Sequence, residues 1–138
     1  MVERNWGERE HSRLQTDLST YVNVRRAQWN ICVYVEQRVQ VAPTRFRVPD
    51  ICVIIGAEPE EAVFTRPPFM CVEILSKDDR MSEMQERVAD YLSFGVPNVW
   101  ILDPRKRRAW RCTPDGMQEV QDLRTADPEI VVPLAEVF

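Results

Sequence analysis

The stretch FMCVEILSKDDR, residues 69–80, opens as a buried β-strand from Phe69 to Leu75, yet Glu73 lies inside that apolar run. A second stretch, RVPDICVIIG at 47–56, repeats the arrangement, with Asp50 leading the hydrophobic residues. A carboxylate buried without a partner costs several kcal/mol or takes up a proton instead. Each acid therefore needs a hydrogen-bonded structural role, a basic side chain or a metal ion.

Side chains alternate along a strand, so Asp50 is expected to point with Cys52 and Ile54, and Glu73 with Cys71 and Leu75. If the two strands are neighbours, the acids converge where one strand begins and the other finishes. Two carboxylates a few ångströms apart repel unless a cation lies between them. Mg²⁺ suits such a supply, taking one or two carboxylates and completing its shell with waters and a substrate phosphate. The same residues are open to a structural reading, in which Asp50 caps a turn after Pro49 and Glu73 pairs with a nearby arginine.

Around these two runs the chain alternates in character. Residues 8–26 carry a helical pattern that sets Leu14, Leu18, Tyr21 and Val22 on one face, with Glu10 and His11 on or beside it. His11, the sole histidine, reads as a packed or capping residue. WNICVYVEQRV (29–39) and FRVPDICVII (46–55) read as antiparallel strands joined by a turn at QVAPT, and GAEPEEAVFTRPP (56–68) as a polar loop. SKDDRMSEMQERVADYLSFG (76–95) predicts a helix entered near Ser76 to Asp79 and closed by Gly95, with Met81, Met84, Val88, Tyr91 and Leu92 as its apolar stripe. NVWILDP (98–104) and RRAWRCT (107–113) are further strands, GMQEVQDL a weaker one, and IVVPLAEVF a short strand with a helical turn. The order α-β-β-β-α-β-β predicts an α/β fold with a mixed sheet, the more continuous strands central and both helices on one face. No G-x-G-x-x-G or Walker-type loop appears.

The chain's 138 residues fit one domain, 1–138, with a real core. Cys32, Cys52, Cys71 and Cys112 are widely spaced and mostly lie in strand-like runs, where a thiol serves as a small hydrophobe. No run approaches the ~18 apolar residues of a membrane span, so a cytoplasmic protein without membrane contact is expected. The net charge of −4 argues against gripping nucleic acid by bulk positive charge, but not against a nuclease whose acids hold a divalent cation. One basic cluster stands out, Arg105 to Arg108, followed by Trp110 and Arg111. It reads as a hairpin turn facing water or as a phosphate-contacting edge.

RVPDICVI, VEILSKDDR and ERVADYLSFGVPNVWILDP, in that order, closely resemble the successive signatures of the Uma-type restriction endonucleases, a branch of the PD-(D/E)XK nuclease superfamily. The likeness covers about residues 8 to 138, including the final PLAEVF. It implies a restriction-endonuclease-like core, Mg²⁺ dependence with Mn²⁺ as a substitute, and hydrolysis of DNA phosphodiester bonds. It also implies that Asp50 and Glu73 are the metal ligands, while Ser76 and Tyr91 match a serine and a tyrosine of the signatures.

The chain departs from that pattern in two places. The superfamily's lysine two residues after the second acid is Leu75 here, and the Uma-type lysine four residues before the tyrosine is Arg87. Arginine can clamp phosphate oxygens but, with a pKa above ~12, cannot act as a general base. Lys77, just past the strand, is the other candidate for the missing ammonium. Relatives also carry a small β-unit before the first helix, so an acid from that region must here be Glu8 or Glu10.

The expected function is a Mg²⁺-dependent DNA endonuclease, with Asp50 and Glu73 on the metal and Arg87 or Lys77 stabilising the pentavalent phosphate. The rival, resting on Arg87, is a catalytically impaired relative that binds DNA or protein. RNA as substrate is a lesser third reading. A homodimer is expected, since cutting both strands takes two sites. Trp29, Trp110 and the terminal Val137 and Phe138 could form its interface, although core packing explains them equally well.

Overall fold

The computed structural model describes residues 8–138, so the expected domain of 1–138 begins in a stretch, 1–7, outside the described residues. Helix α1 (Arg9–Asn23) and the single turn α2 (Arg26–Trp29) lead into β1 (Ile31–Val35), β2 (Val39–Ala42), β3 (Arg45–Arg47), β4 (Ile51–Ile55) and β5 (Met70–Ile74). Helix α3 (Met81–Phe94) follows, then β6 (Asn98–Asp103), β7 (Arg108–Thr113), β8 (Gly116–Val120), β9 (Asp122–Arg124), β10 (Val131–Pro133) and a closing 3₁₀ turn, Leu134–Glu136.

Six strands form one mixed sheet in the order β1-β4-β5-β6-β7-β8. Only β5 and β6 run parallel in it, and α3 is the crossover that parallel strands require. The three central strands are buried at nearly every position, on both faces. A sheet apolar on both sides needs a cover on each. Accordingly α1 lies on one face, where Leu14, Leu18 and Val22 meet Ile51, Val53, Val72 and Trp100. Helix α3 lies on the other, where Met84, Val88 and Tyr91 meet Cys52, Cys71, Val99 and Ile101. The helices therefore do not share a face, contrary to the expectation from element order.

The β1–β4 pairing is antiparallel as read from the sequence. Its connection is not the expected turn, because β2 and β3 form their own two-stranded ribbon within that segment. Val39 and Val41 of the ribbon complete the core beneath α3. A second ribbon, β9 with β10, extends the cover beside α1 through Leu123 and Val132.

Helix α3 starts five residues later than Ser76, so Met81, predicted in the stripe, is exposed. It ends as expected at Gly95, whose φ of 106° closes the helix with N–H bonds to Tyr91 and Leu92. Cys52, Cys71 and Cys112 are buried among apolar side chains. Trp29 and Phe138 pack partly buried against the α1-side core, Trp110 packs against the other, and Val137 is buried, so core packing accounts for all four. Among the described residues no helix is long and apolar enough to cross a membrane.

Candidate active site

The antiparallel pairing of β4 with β5 sets Ile51 opposite Val72. Continued by one residue, the same register sets Asp50 opposite Glu73, at the end of the sheet where β4 begins and β5 finishes. Asp50 stands just outside its strand, and its side chain takes over the ladder there: Oδ2 accepts the Ile74 N–H at 2.7 Å. Oδ1 lies 3.3 Å from His11 Nε2, from the first turn of α1. The backbone carbonyl of Asp50 accepts bonds from Gln15 Nε2 and the Glu36 N–H, which fix its position. Asp50 is thus held by groups from α1, β5 and the segment after β1, and stays partly exposed.

Glu73 is enclosed, 3% exposed, on the α3 side. Arg87 and Tyr91 are four residues apart on one face of α3, the spacing that brings two side chains together. Tyr91 Oη donates to Glu73 Oε2 at 3.0 Å. Arg87 Nε lies 3.3 Å from Oε1, yet this buried nitrogen forms no hydrogen bond. The guanidinium is close enough to lend charge and too poorly aligned to satisfy its own N–H. On its far side Nη2 sits 3.5 Å from Asp79 Oδ1, and Asp79 Oδ2 accepts the Ser76 N–H at 2.8 Å.

The electrostatics follow from this enclosure. Burial, and then the nearby charge of Asp50, push the Glu73 carboxyl up to about 8, although Arg87 and the Tyr91 hydroxyl pull the other way. The Arg87 guanidinium loses solvation but is held above its ordinary value by Glu73 and Asp79. The hydrogen bond to Asp50 raises His11, against its partial burial. A buried carboxyl raised in this way lies where positive charge is short.

The donor set discriminates among ions. Asp50 and Glu73 offer hard carboxylate oxygens, each with lone pairs beyond the contacts described. Among the described residues no group of three His, Cys, Asp or Glu gathers that could cage a metal. Such a site suits Mg²⁺, which keeps most of its waters, and does not suit tetrahedral zinc.

Of the residues picked out from sequence, Asp50, Glu73, Arg87 and Tyr91 come together. Lys77 is exposed on the loop after β5 and pairs with neither acid; its backbone N–H is what is engaged, by Glu8 Oε1 at 2.9 Å. Glu10 pairs with Arg9 at the surface. Sequence reasoning passed over Asp79 and gave His11 no partner. The S-x-x-D spacing of Ser76 and Asp79 was a readable signal for a side-chain-closed turn, whereas nothing local pairs His11 with Asp50.

A family model, Uma2, described as "Putative restriction endonuclease", matches residues 3–138. The fold is similar to a crystal structure of a "putative nuclease belonging to DUF820" from Anabaena variabilis, with a TM-score of 0.81 and 21% identity over 99% of this chain and 84% of that one. No curated protein matches the chain.

Proposed function

The chain belongs to the Uma2 restriction endonuclease family, and from that premise we propose that it hydrolyses phosphodiester bonds of DNA with a divalent cation held by Asp50 and Glu73. The observation that supports this most is the pair of acids brought opposite one another at a strand end, with Glu73 raised to about 8 by burial and by Asp50. A purely structural acid at that depth is expected to have its charge fully matched. Bound Mg²⁺ would supply Lewis-acid polarisation of the scissile phosphate and a more acidic water.

The protein's own groups divide the remaining work. The Ile74 N–H and His11 orient Asp50, and the Tyr91 hydroxyl orients Glu73. Arg87, beside Glu73, offers fixed positive charge to the phosphate as it gains negative charge. It does not take up the proton of the attacking water, because a guanidinium does not release its own at neutral pH.

The test is nicking of supercoiled DNA in Mg²⁺ or Mn²⁺. Asp50→Ala and Glu73→Ala are each expected to reduce it by about a hundredfold or more, the scale for loss of an essential charge-stabilising group. Cleavage that persists in either variant, or in excess chelator, contradicts the proposal.

A second reading has its own observation. Because Arg87 already stands 3.3 Å from Glu73, it can serve as the internal cation of a silent relative that only binds nucleic acid or protein. That reading predicts that Arg87→Lys creates or greatly increases metal-dependent cleavage, whereas an active wild type with a weaker Arg87→Lys variant argues for the enzyme.

A further inference from the structure

Glu8 occupies the N-cap position of α1, yet its side chain bonds to no N–H of that helix. It reaches across to two other segments instead. Oε1 accepts the Lys77 N–H at 2.9 Å, and Oε2 lies 3.2 Å from Arg105 Nη1. The parallel pairing of β5 with β6 explains why these two donors are close: Ile74 is level with Leu102, and the Leu75 N–H bonds the Leu102 carbonyl at 2.8 Å. The loop leaving Glu73 and the basic β6–β7 turn therefore emerge side by side, at the end of the sheet that carries the acids. Asp103 Oδ1 holds the turn by accepting the N–H groups of Arg105 and Lys106.

One anionic group with two oxygens, each meeting a separate donor, is the pattern a phosphodiester presents through its two non-bridging oxygens. Backbone N–H groups and arginine are the usual donors to such an anion. Beyond Arg105 the exposed Lys106 and Arg107 have no acidic partner within ion-pair distance among the described residues. They continue the positive surface outward from this point, on a chain whose net charge is −4.

We propose that the Lys77 N–H and the Arg105 guanidinium form a subsite for a backbone phosphate flanking the scissile bond, which the Glu8 carboxylate fills in the free protein. Lys106 and Arg107 extend it along the strand. The proposal rests on the DNA reading above and adds where the backbone is gripped. Glu8 then competes with substrate, and it gives way when a phosphate takes its two donors.

The experiment is fluorescence anisotropy with a short labelled DNA duplex, in chelator so that nothing is cut, over a series of salt concentrations. Arg105→Gln is expected to weaken binding about three- to tenfold and to lower the log–log salt slope by about one, while Arg105→Lys retains most of both. Glu8→Gln is expected to act in the opposite direction and tighten binding. If the Glu8–Arg105 pair only braces the fold, both Gln variants weaken binding together, which overturns the proposal. Wild-type affinity and slope in Arg105→Gln overturn it as well. Should Glu8→Gln lower the melting temperature, the double variant Lys106→Gln, Arg107→Gln replaces it: a reduced slope supports the subsite and an unchanged one refutes it. Wild-type protein that fails to bind the duplex even at low salt removes the DNA reading itself, and the subsite with it.

Discussion

Helix α3 carries two ion-pair assemblies three residues apart, and they are built to different standards. At Asp90 each carboxylate oxygen meets its own arginine, Oδ1 with Arg45 Nη1 at 2.8 Å and Oδ2 with Arg47 Nε at 2.7 Å. This tie fastens the β2–β3 ribbon to the helix, and every partner is matched. At Arg87 the geometry is looser: 3.3 Å to Glu73, 3.5 Å to Asp79, and a buried Nε without a hydrogen bond. The two assemblies are buried to a similar degree except at Glu73, the one enclosed member, and it is there, where water is excluded and unmatched charge is costliest, that the pairing is loose. This loosely paired assembly, beside the Asp50 and Glu73 carboxyls, is the feature on which the proposed cation site rests.

The largest expected effect sharpens this contrast through pH. In metal-free protein the Glu73 carboxyl rises from 4.5 to about 8 on folding. The folded state therefore binds this proton more tightly than the unfolded state. Its contribution is complete below about pH 4.5 and is lost as pH climbs toward 8. Thermal melts in chelator should show the wild type falling by several kcal/mol across that window, the scale a shift of this size implies. Glu73→Gln should lose most of that slope and keep the part that the raised His11 contributes above its ordinary 6.5, and an equal slope in both proteins would refute the assignment to Glu73.

Breaking the complete assembly comes next. Asp90→Ala strands Arg45 and Arg47 and is expected to cost about 2 kcal/mol in urea denaturation, the range for hydrogen bonds to charged groups. Metal binding should be unaffected, since Asp90 touches neither acid. A metal defect in this variant would show that the two assemblies are not independent.

The smallest effect belongs to Tyr91→Phe. Losing one hydrogen bond to a carboxylate should cost about 1 kcal/mol near pH 8. Because the hydroxyl lowers the Glu73 value, its loss should also move the pH window of the melts upward. A downward movement would mean that the hydroxyl does not stabilise the carboxylate.

Much of this arrangement was legible in the sequence. One acid leads an apolar run and the other lies inside one, and once the two strands are neighbours, period-two alternation brings the acids to one end of the sheet. The burial of Met84, Val88 and Tyr91 followed from helical spacing. The partner of Glu73 was reached through resemblance, which aligned Arg87 with the family's lysine, and not from any pattern in the residues themselves.

The misreadings share a cause. The Pro and Thr of QVAPT signal a turn, and the turn is present, but whether a hairpin belongs to the main sheet or stands apart depends on distant packing. Element order allows both helices on one face, whereas β4, β5 and β6 are apolar at consecutive positions and so demand two covers. Spacing puts Met81 in the stripe but does not reveal how late a helix begins when Asp79 closes a turn ahead of it. His11 and Glu8 act across the fold, on Asp50, Lys77 and Arg105, and such long-range contacts leave no local trace.

The central claim is that Asp50 and Glu73 share a divalent ion, and calorimetric titration of the chelator-stripped protein with Mn²⁺ addresses it most directly. The account predicts a saturable binding event in the wild type and in Asp90→Ala, absent from Asp50→Ala and from Glu73→Ala. No heat in the wild type at millimolar Mn²⁺, or undiminished binding without either acid, would contradict it.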